Sequence, residues 1–308
     1  MSPAKRVRCS VACFGEVLWD ILPRGIFLGG APANVSYHLT RLGVSALPVS
    51  AVGRDFLGEE ALARIAAWPA DTSCIGRPRR RPTGTVRARL DAAGSATYEI
   101  ADRVAWDRIR AERTLRRRPA PAALVYGTLA MRGGSNRVAF MDLAQAWPEA
   151  FRVLDLNLRP PFDQPRGVRF ALGYAQLVKL NDAELVRQTG LPVRTSAELE
   201  AAARRFARQD RRARVCVTAG ARGAGLLWDD AWHWAKGNKV AVRDTVGAGD
   251  AFLAGWIAGY FKWNESPGVA LARACRLGEF VAARDGATPP YVVDADGHPR
   301  DAIRGWTA

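Results

Sequence analysis

Seven residues near the C-terminus combine a glycine-rich turn with a carboxylate. They read Asp-Thr-Val-Gly-Ala-Gly-Asp at positions 244–250 and lead into an apolar stretch, 251–260, that predicts a helix. The unpaired N–H groups and the positive dipole end of a helix N-terminus attract anions, and small residues let a phosphate approach the backbone closely. Gly247, Ala248 and Gly249 are therefore predicted to bind a phosphate group.

Asp250 lies in the first turn of that predicted helix. A carboxylate beside a transferring phosphate can accept the proton of an attacking hydroxyl, so phosphoryl transfer is the chemistry that the pattern favours, with Asp250 as the catalytic base. An acidic residue at a helix start would also simply complement the helix dipole. The short string alone does not decide between these two interpretations.

The complete string resembles the C-terminal signature of the PfkB/ribokinase family of carbohydrate kinases. Near the N-terminus the chain also reads GEVLWD at 15–20, LGGAPAN at 28–34 and LG at 42–43, which is most similar to bacterial fructokinases. The resemblance extends from about residue 14 to about residue 289. It implies an ATP-dependent kinase that uses Mg²⁺ and K⁺ and phosphorylates a primary hydroxyl of a sugar, with D-fructose to fructose 6-phosphate as the leading reaction.

The resemblance also implies which residues contact the sugar. A sugar presents many hydroxyls, and discriminating between sugars requires hydrogen-bond partners for them. The residues that match the family's sugar-contacting positions, or that could close against the sugar from a predicted hairpin, are Asp20, Gly29, Gly30, Asn34, Tyr98, Asn157 and Arg159. The same residues could instead form a turn, a loop, a helix cap and simple strand packing. Phe162 and Asp163 stand where fructokinases usually carry Leu-Trp, which departs from the pattern.

For the nucleotide and the metals, the resemblance indicates three further segments. Asn181 and Glu184 match the motif that organises magnesium through its waters, although such a pair also caps helices. Asp244 and Thr245 would face a monovalent cation. The residues expected to bind the nucleotide are Lys179, Asn181, Thr218, Gly220, Gly223, Ala283 and Gly286.

Short apolar runs alternate with helical periodicities along the chain. The runs at 11–15, 45–52, 123–126, 152–155, 177–180 and 215–218 predict strands, and 33–42, 59–68 and 137–146 predict helices. This alternation favours an α/β fold with a mostly parallel central sheet flanked by helices on both faces. Residues 85–90 and 95–100 alternate around a turn at 91–94, as in a β-hairpin.

By resemblance the fold is ribokinase-like, and a single kinase domain over residues 1–308 is expected. In that family the hairpin belongs to a small β-sheet lid, here formed from about 16–30 and 83–102. Such a lid would exclude water from the reaction, because water would otherwise hydrolyse the nucleotide. An exposed apolar lid face would indicate a homodimer.

Composition narrows the class of protein. No apolar run in the sequence approaches the roughly 20 residues of a membrane span, which favours a cytoplasmic protein without membrane partners. The net charge of +15 would attract polyanions, yet no zinc-finger, RNP or basic-zipper pattern accompanies it, so no specific nucleic acid is expected. The alternatives left open are 2-keto-3-deoxygluconate kinase, ribokinase or another sugar kinase and, in a different class, a non-catalytic sugar-sensing or nucleic-acid-associated protein.

Overall fold

The computed structural model describes residues 10–23, 25–90, 96–209 and 214–302. Strands and helices alternate over most of this length. The strands are β1 (Ser10–Phe14), β2 (Leu18–Leu22), β3 (Gly25–Gly29), β4 (Ser45–Ala51), β5 (Ile75–Gly76), β6 (Gly84–Leu90), β7 (Ala96–Ile100), β8 (Ala123–Gly127), β9 (Phe151–Asp155), β10 (Leu177–Asn181), β11 (Arg214–Thr218), β12 (Gly223–Trp228), β13 (Ala231–Lys236), β14 (Tyr291–Val293) and β15 (Pro299–Asp301). The helices are α1 (Ala31–Arg41), α2 (Phe56–Ala66), α3 (Arg113–Arg116), α4 (Gly134–Ala146), α5 (Pro165–Tyr174), α6 (Asp182–Thr189), α7 (Ser196–Gln209), α8 (Ala248–Ile257) and α9 (Pro267–Ala282).

The central sheet has the strand order β13-β12-β11-β10-β9-β8-β1-β4-β5 within the described residues. The strands from β11 to β5 are parallel to one another, and β12 and β13 are added as antiparallel strands at one edge. A strand that is covered on both faces must be apolar along its whole length, and every residue of β8 is buried. The predicted mostly parallel sheet is confirmed.

Helices cover both faces of this sheet, as the sequence predicted. Successive side chains of a strand point to opposite faces, and in β1 the residues Ala12 and Phe14 belong to one apolar cluster while Val11 and Cys13 belong to another. The first cluster includes residues of α4 and α7, and the second includes residues of α1, α8 and α9. In the described residues, no helix is long and apolar enough to cross a membrane.

A separate four-stranded sheet has the order β3-β2-β6-β7. β6 and β7 pair antiparallel, as the predicted hairpin requires, and β2 pairs with β6 in parallel. The predicted turn at 91–94 lies outside the described residues. Ile26 on the edge strand β3 is 52% exposed, and a homodimer through this face stays a prediction.

The helices begin two to three residues earlier than their apolar periodicity predicts. α1 begins at Ala31 with Pro32 in its first turn, where the missing proline N–H costs no hydrogen bond. α2 begins after Asp55, whose carboxylate accepts the N–H of Gly58 at 2.8 Å. Periodicity detects the buried face of a helix but not its cap.

Candidate active site

The carboxyl ends of adjacent parallel strands bring several of the predicted site residues to one edge of the main sheet. Asn157 and Arg159 follow β9, Asn181 is the last residue of β10, and Thr218 is the last residue of β11. Asn181 and Thr218 are also partners in register. Ligands in open α/β sheets bind at this edge. The residues assigned to the sugar thus neighbour those assigned to the nucleotide.

Asp250 lies in the first turn of α8 and is 8% exposed. The Nδ2 group of Asn34, in the first turns of α1, donates a hydrogen bond to Oδ2 of Asp250 at 2.8 Å. Burial raises the pKa of Asp250 to about 7, and the Asp155 carboxylate acts in the same direction. Lys179 and Asn34 oppose this rise. A carboxyl group that titrates near neutral pH is suited to exchange a proton with a substrate hydroxyl.

The first glycine of the turn before Asp250, Gly247, cannot be replaced by a larger residue. Gly247 precedes α8 with φ +76°, and a Cβ built on it would lie 2.5 Å from the Cα of Ala287. A left-handed backbone and a close neighbour together require glycine there. The N–H of Ala248 makes a long hydrogen bond of 3.3 Å to the Thr245 carbonyl, whereas the N–H of Gly249, in the first turn of α8, has no carbonyl one turn earlier in the helix. The turn can therefore donate to an anion.

An ion pair lies beneath this turn. Nζ of Lys179 donates to both carboxylate oxygens of Asp155, at 3.0 and 3.1 Å, and both residues are buried. A Cβ built on Gly249 would lie 3.0 Å from the same Nζ. Burial alone would lower the pKa of Lys179, but the nearby Asp155 and Asp250 carboxylates raise it, so the amine stays charged. Lys179 therefore adds positive charge next to the turn that is predicted to bind the phosphate.

On the sugar side, Asp20 lies at the centre of β2 opposite β3 in the four-stranded sheet. A Cβ built on Gly29 would clash with Oδ2 of Asp20, so the glycine leaves space in front of this carboxylate. Burial raises the pKa of Asp20 to about 6, and Arg159 opposes the rise. Gly30, at φ +107°, lies close to the backbone of Glu16, and a side chain at this position would clash with the Glu16 carbonyl.

Asn181 and Glu184 form a helix cap. Oδ1 of Asn181 accepts the N–H of Glu184 at 2.8 Å, and Oε2 of Glu184 accepts the N–H of Asn181 at 2.9 Å. Oε1 of Glu184 accepts the N–H of Leu158 at 2.7 Å, which fixes the segment that carries Arg159. Burial raises the pKa of Glu184. Each carboxylate oxygen retains a second lone pair, so the geometry fits water-mediated contact with a metal ion.

The remaining nucleotide-side residues lie in turns with left-handed glycines. Gly220 and Gly223 follow β11 at φ +55° and +114°. A side chain at Gly223 would meet the carbonyl of Ala235 in β13. Ala283 directly follows α9, three residues before Gly286.

Asp244 connects that C-terminal segment to the phosphate turn. Its Oδ1 accepts the N–H of Val246 at 3.0 Å, and its Oδ2 accepts the N–H of Gly286 at 3.1 Å. Thr245 is exposed beside them. Carboxylate and hydroxyl oxygens are the ligand type that a monovalent cation would need.

Sequence reasoning gave no role to three side chains that the fold brings to this region. Glu16 is buried and accepts the N–H of Ala31 at 3.3 Å, and burial raises its pKa against the charge of Arg159. Asp155, which pairs with Lys179, was visible only as part of a motif. Arg132 gives no sequence signal at all.

The guanidinium of Arg132 is held from several directions. Its Nε donates to Asp107 at 2.8 Å, and its guanidinium carbon lies 4.0 Å from the ring centre of Trp106 and 4.5 Å from that of Phe162. Phe162, which departs from the fructokinase pattern, thus covers an arginine. Tyr98 lies in β7, and its side chain is outside the described part of the structure.

The chain is similar in sequence and in fold to known sugar kinases. A model of the pfkB family of carbohydrate kinases matches residues 24–293. A fructokinase of Salmonella typhimurium is 28% identical over 264 residues, which cover 82% of this chain and 84% of the relative. The ATP-bound structure of a Xylella fastidiosa fructokinase has a TM-score of 0.78 at 22% identity and covers 92% of this chain and 94% of that one. A Vibrio cholerae fructokinase, solved with fructose, ADP and calcium, has a TM-score of 0.77 at 22% identity, with 91% and 95% covered.

The fold and the site together define a carbohydrate kinase with a ribokinase-like architecture. More specifically, the chain belongs to the pfkB family and is similar to bacterial fructokinases. It is therefore an enzyme. This excludes the alternative of a non-catalytic sugar-sensing or nucleic-acid-associated protein.

Proposed function

We propose that the protein transfers the γ-phosphoryl group of ATP to the primary hydroxyl of D-fructose and releases fructose 6-phosphate and ADP. The observation that carries this proposal is the buried Asp250 at the N-terminus of α8, with its pKa raised to about 7 and its carboxylate held by Asn34. Because ATP is the donor, the cytoplasm is the proposed compartment.

In this reaction Asp250 accepts the proton of the attacking hydroxyl. The hydroxyl oxygen forms a bond to the γ-phosphorus while the bond to the β–γ bridging oxygen breaks, and ADP carries away the electron pair. The N–H groups of the turn at Gly247, Ala248 and Gly249 donate to the transferring phosphoryl oxygens, where negative charge is concentrated. Lys179, close beneath Gly249, adds a positive charge to that position.

For the sugar we propose the polar groups on the β1 and β9 side of the site. The Asp20 carboxylate accepts hydrogen bonds from hydroxyls, and Gly29 keeps the space in front of it free. Asn34, whose amide contacts Asp250, would lie beside both the sugar and the base. The other proposed contacts are Gly30, Asn157, Arg159 and Tyr98. The four-stranded sheet that carries Asp20 would act as the lid over this side of the site.

For the nucleotide we propose the turns at the ends of β10 and β11, with contributions from Lys179, Asn181, Thr218, Gly220, Gly223, Ala283 and Gly286. Magnesium would be held by Asn181 and Glu184 through water, since backbone N–H groups already occupy one lone pair of each Glu184 oxygen. When bound, it supplies charge neutralisation at the β- and γ-phosphates. Potassium would be held near Asp244 and Thr245.

Fructose as the substrate is supported by the names of the relatives and by the residues at 15–20 and 28–34, and a substrate panel tests it. ADP release is measured with ATP, Mg²⁺ and K⁺ and with fructose, 2-keto-3-deoxygluconate, ribose, glucose or a nucleoside. We expect the largest kcat/KM with fructose. A larger value with another sugar would retain the kinase and correct the substrate.

The Asp250→Asn variant tests the base separately. Its kcat with the preferred sugar should fall by about 10² to 10⁴, the range for a lost general base. Sugar affinity, measured by calorimetry without nucleotide, should stay close to that of the wild type. Unchanged turnover in this variant would contradict the role of Asp250.

A further inference from the structure

Helix α1 contacts the C-terminal segment 286–291 through two consecutive aromatic side chains. The hydroxyl of Tyr37 donates to the carbonyl of Pro289 at 2.6 Å. Nε2 of His38 lies 2.9 Å from the carbonyl oxygen of Ala287, and its Nδ1 lies 3.1 Å from the hydroxyl of Tyr291. Tyr37 and His38 are 2% and 0% exposed. These contacts are therefore part of the core and not surface associations.

The partners of His38 determine its protonation. The Ala287 carbonyl can only accept, so Nε2 carries the hydrogen and donates it. Nδ1 is then an acceptor for the Tyr291 hydroxyl. Burial lowers the pKa of His38 to about 4, against the raising effect of the Ala287 carbonyl and with a further lowering by Arg41. The imidazole is thus neutral at physiological pH, with one donor and one acceptor both in use.

Ala287 is also the residue against which the phosphate turn packs. A Cβ built on Gly247 would lie 2.5 Å from the Cα of Ala287, so the two backbones are in close contact. The N–H of Gly286 donates to Asp244, the first residue of the same turn region. The 286–287 backbone therefore lies between α1 on one side and the turn at 244–247 on the other.

The same helix also holds the base. Asn34 donates to Asp250, and His38 lies one helical turn further along α1, where residues four apart share a face. One face of α1 therefore contacts Asp250 directly and contacts the phosphate turn through Ala287. Any movement of Ala287 would displace the N–H groups at Gly247 relative to the carboxylate.

We propose that His38 is a positioning residue for the phosphate-binding turn: its Nε2–H fixes the Ala287 carbonyl, and Ala287 in turn fixes Gly247. This inference rests on the proposed function, because it takes the turn at 247–249 to bind the γ-phosphate. It predicts that breaking the His38–Ala287 hydrogen bond weakens ATP more than ADP, since ADP has no γ-phosphate.

Two substitutions of His38 separate the effect of its Nε2–H donor from that of the rest of the imidazole. In His38→Gln the amide nitrogen can reach the position of Nε2 and donate to Ala287, whereas in His38→Asn the shorter side chain ends near Nδ1 and leaves the carbonyl without its donor. The affinities for ATP and ADP are measured by calorimetry with Mg²⁺ and without sugar. We expect His38→Asn to bind ATP about tenfold more weakly than His38→Gln, because a turn that Ala287 no longer fixes must be ordered when the γ-phosphate binds, with a smaller change for ADP.

Tyr126→Phe is the matched control for a purely structural effect. It removes a buried hydroxyl that donates to the Ala171 carbonyl at 2.8 Å, on the other face of the sheet. Its melting temperature should fall while the ratio of ATP to ADP affinity stays at the wild-type value. Equal ATP affinities in the two His38 variants, or equal losses for ATP and ADP, would overturn the proposal.

If neither His38 variant folds, Tyr291→Phe provides the same test with a smaller change. It removes only the hydroxyl that orients the imidazole, and the ratio of ATP to ADP affinity should fall in the same direction. An unchanged ratio would overturn the proposal. Because no sugar is present, an incorrect substrate assignment leaves these measurements unaffected, whereas a wild-type protein that binds no ATP would contradict the proposed function itself.

Discussion

Replacing Asn34 by alanine tests, through the pKa of Asp250, whether this carboxylate is the base. The Asn34 amide donates to Oδ2 of Asp250 at 2.8 Å, and both residues are buried. A hydrogen bond to a charged group contributes about 1.5 to 3 kcal/mol, and about 1.4 kcal/mol corresponds to one pKa unit. The pKa of Asp250, about 7 in the wild type, should therefore rise to about 8 or 9 in Asn34→Ala.

The direction of the effect on activity follows from the role of a base. Only the ionised carboxylate accepts a proton, so activity is present above the pKa of Asp250 and is lost as the pH falls through it. At saturating ATP, the pH profile of kcat/KM for fructose reports the pKa values of the enzyme–ATP complex, which is the form that binds fructose. Measured for fructose at saturating ATP from about pH 5.5 to pH 10, the acid limb should lie about one to two pH units higher in the variant. A loss of sugar contacts would lower kcat/KM at every pH without moving the acid limb to a different pH.

Ser36→Ala is the matched control, two residues away on the same helix. The Ser36 hydroxyl donates to the Pro32 carbonyl within α1 at 2.9 Å and is equally buried. Its acid limb should coincide with that of the wild type. If the limb in Asn34→Ala also stayed at the wild-type position, the assignment of Asp250 as the titrating base would be refuted.

Four further predictions follow from individual contacts. Asp250→Asn should raise the melting temperature more at pH 8 than at pH 5 in calorimetric scans, because the cost of ionising the buried acid grows between its ordinary pKa of 3.8 and its folded value of about 7. Gly247→Ala should abolish turnover in initial-rate assays, whereas Gly190→Ala, at a similar φ of +70° but with no heavy atom within 4 Å of its built Cβ, should retain most of it. Gly29→Ala should raise the KM for fructose and leave the KM for ATP unchanged, since its Cβ would meet the acid that faces the sugar. Glu184→Gln should lower the melting temperature, because one capping acceptor becomes a donor, and should raise the magnesium concentration for half-maximal rate in a metal titration.

The main sheet could be predicted from the sequence because each of its central strands is buried on both faces. The run at 123–126 corresponds to β8, Ala123–Gly127, and the run at 152–155 corresponds to β9, Phe151–Asp155. A continuous apolar segment of this length between polar turns has few alternatives to a covered parallel strand. The hairpin of β6 and β7 could also be predicted, because apolar and polar residues alternate along both strands.

The contacts that complete the site could not be predicted, because they join residues far apart in the chain. Asn34 and Asp250 are separated by 216 positions and meet only because α1 packs against α8. Arg132 has no motif around it, and its position depends on Asp107, Trp106 and Phe162. A local sequence pattern indicates which residue is a candidate for a role. The pKa of that residue depends on which charges the fold brings near it.

The pair Asn181 and Glu184 shows why local reasoning had to leave two interpretations open. Capping and water-mediated metal binding need the same residues at the same spacing, and the observed cap uses only one lone pair of each carboxylate oxygen. Burial raises the pKa of Glu184, nearby Asp155 adds to the rise, and Lys179 opposes it. A divalent cation close to these carboxylates would favour their ionised forms, so the cap and the metal would stabilise the same arrangement. The cap therefore supports the proposed magnesium site by fixing the carboxylate in place before the metal binds.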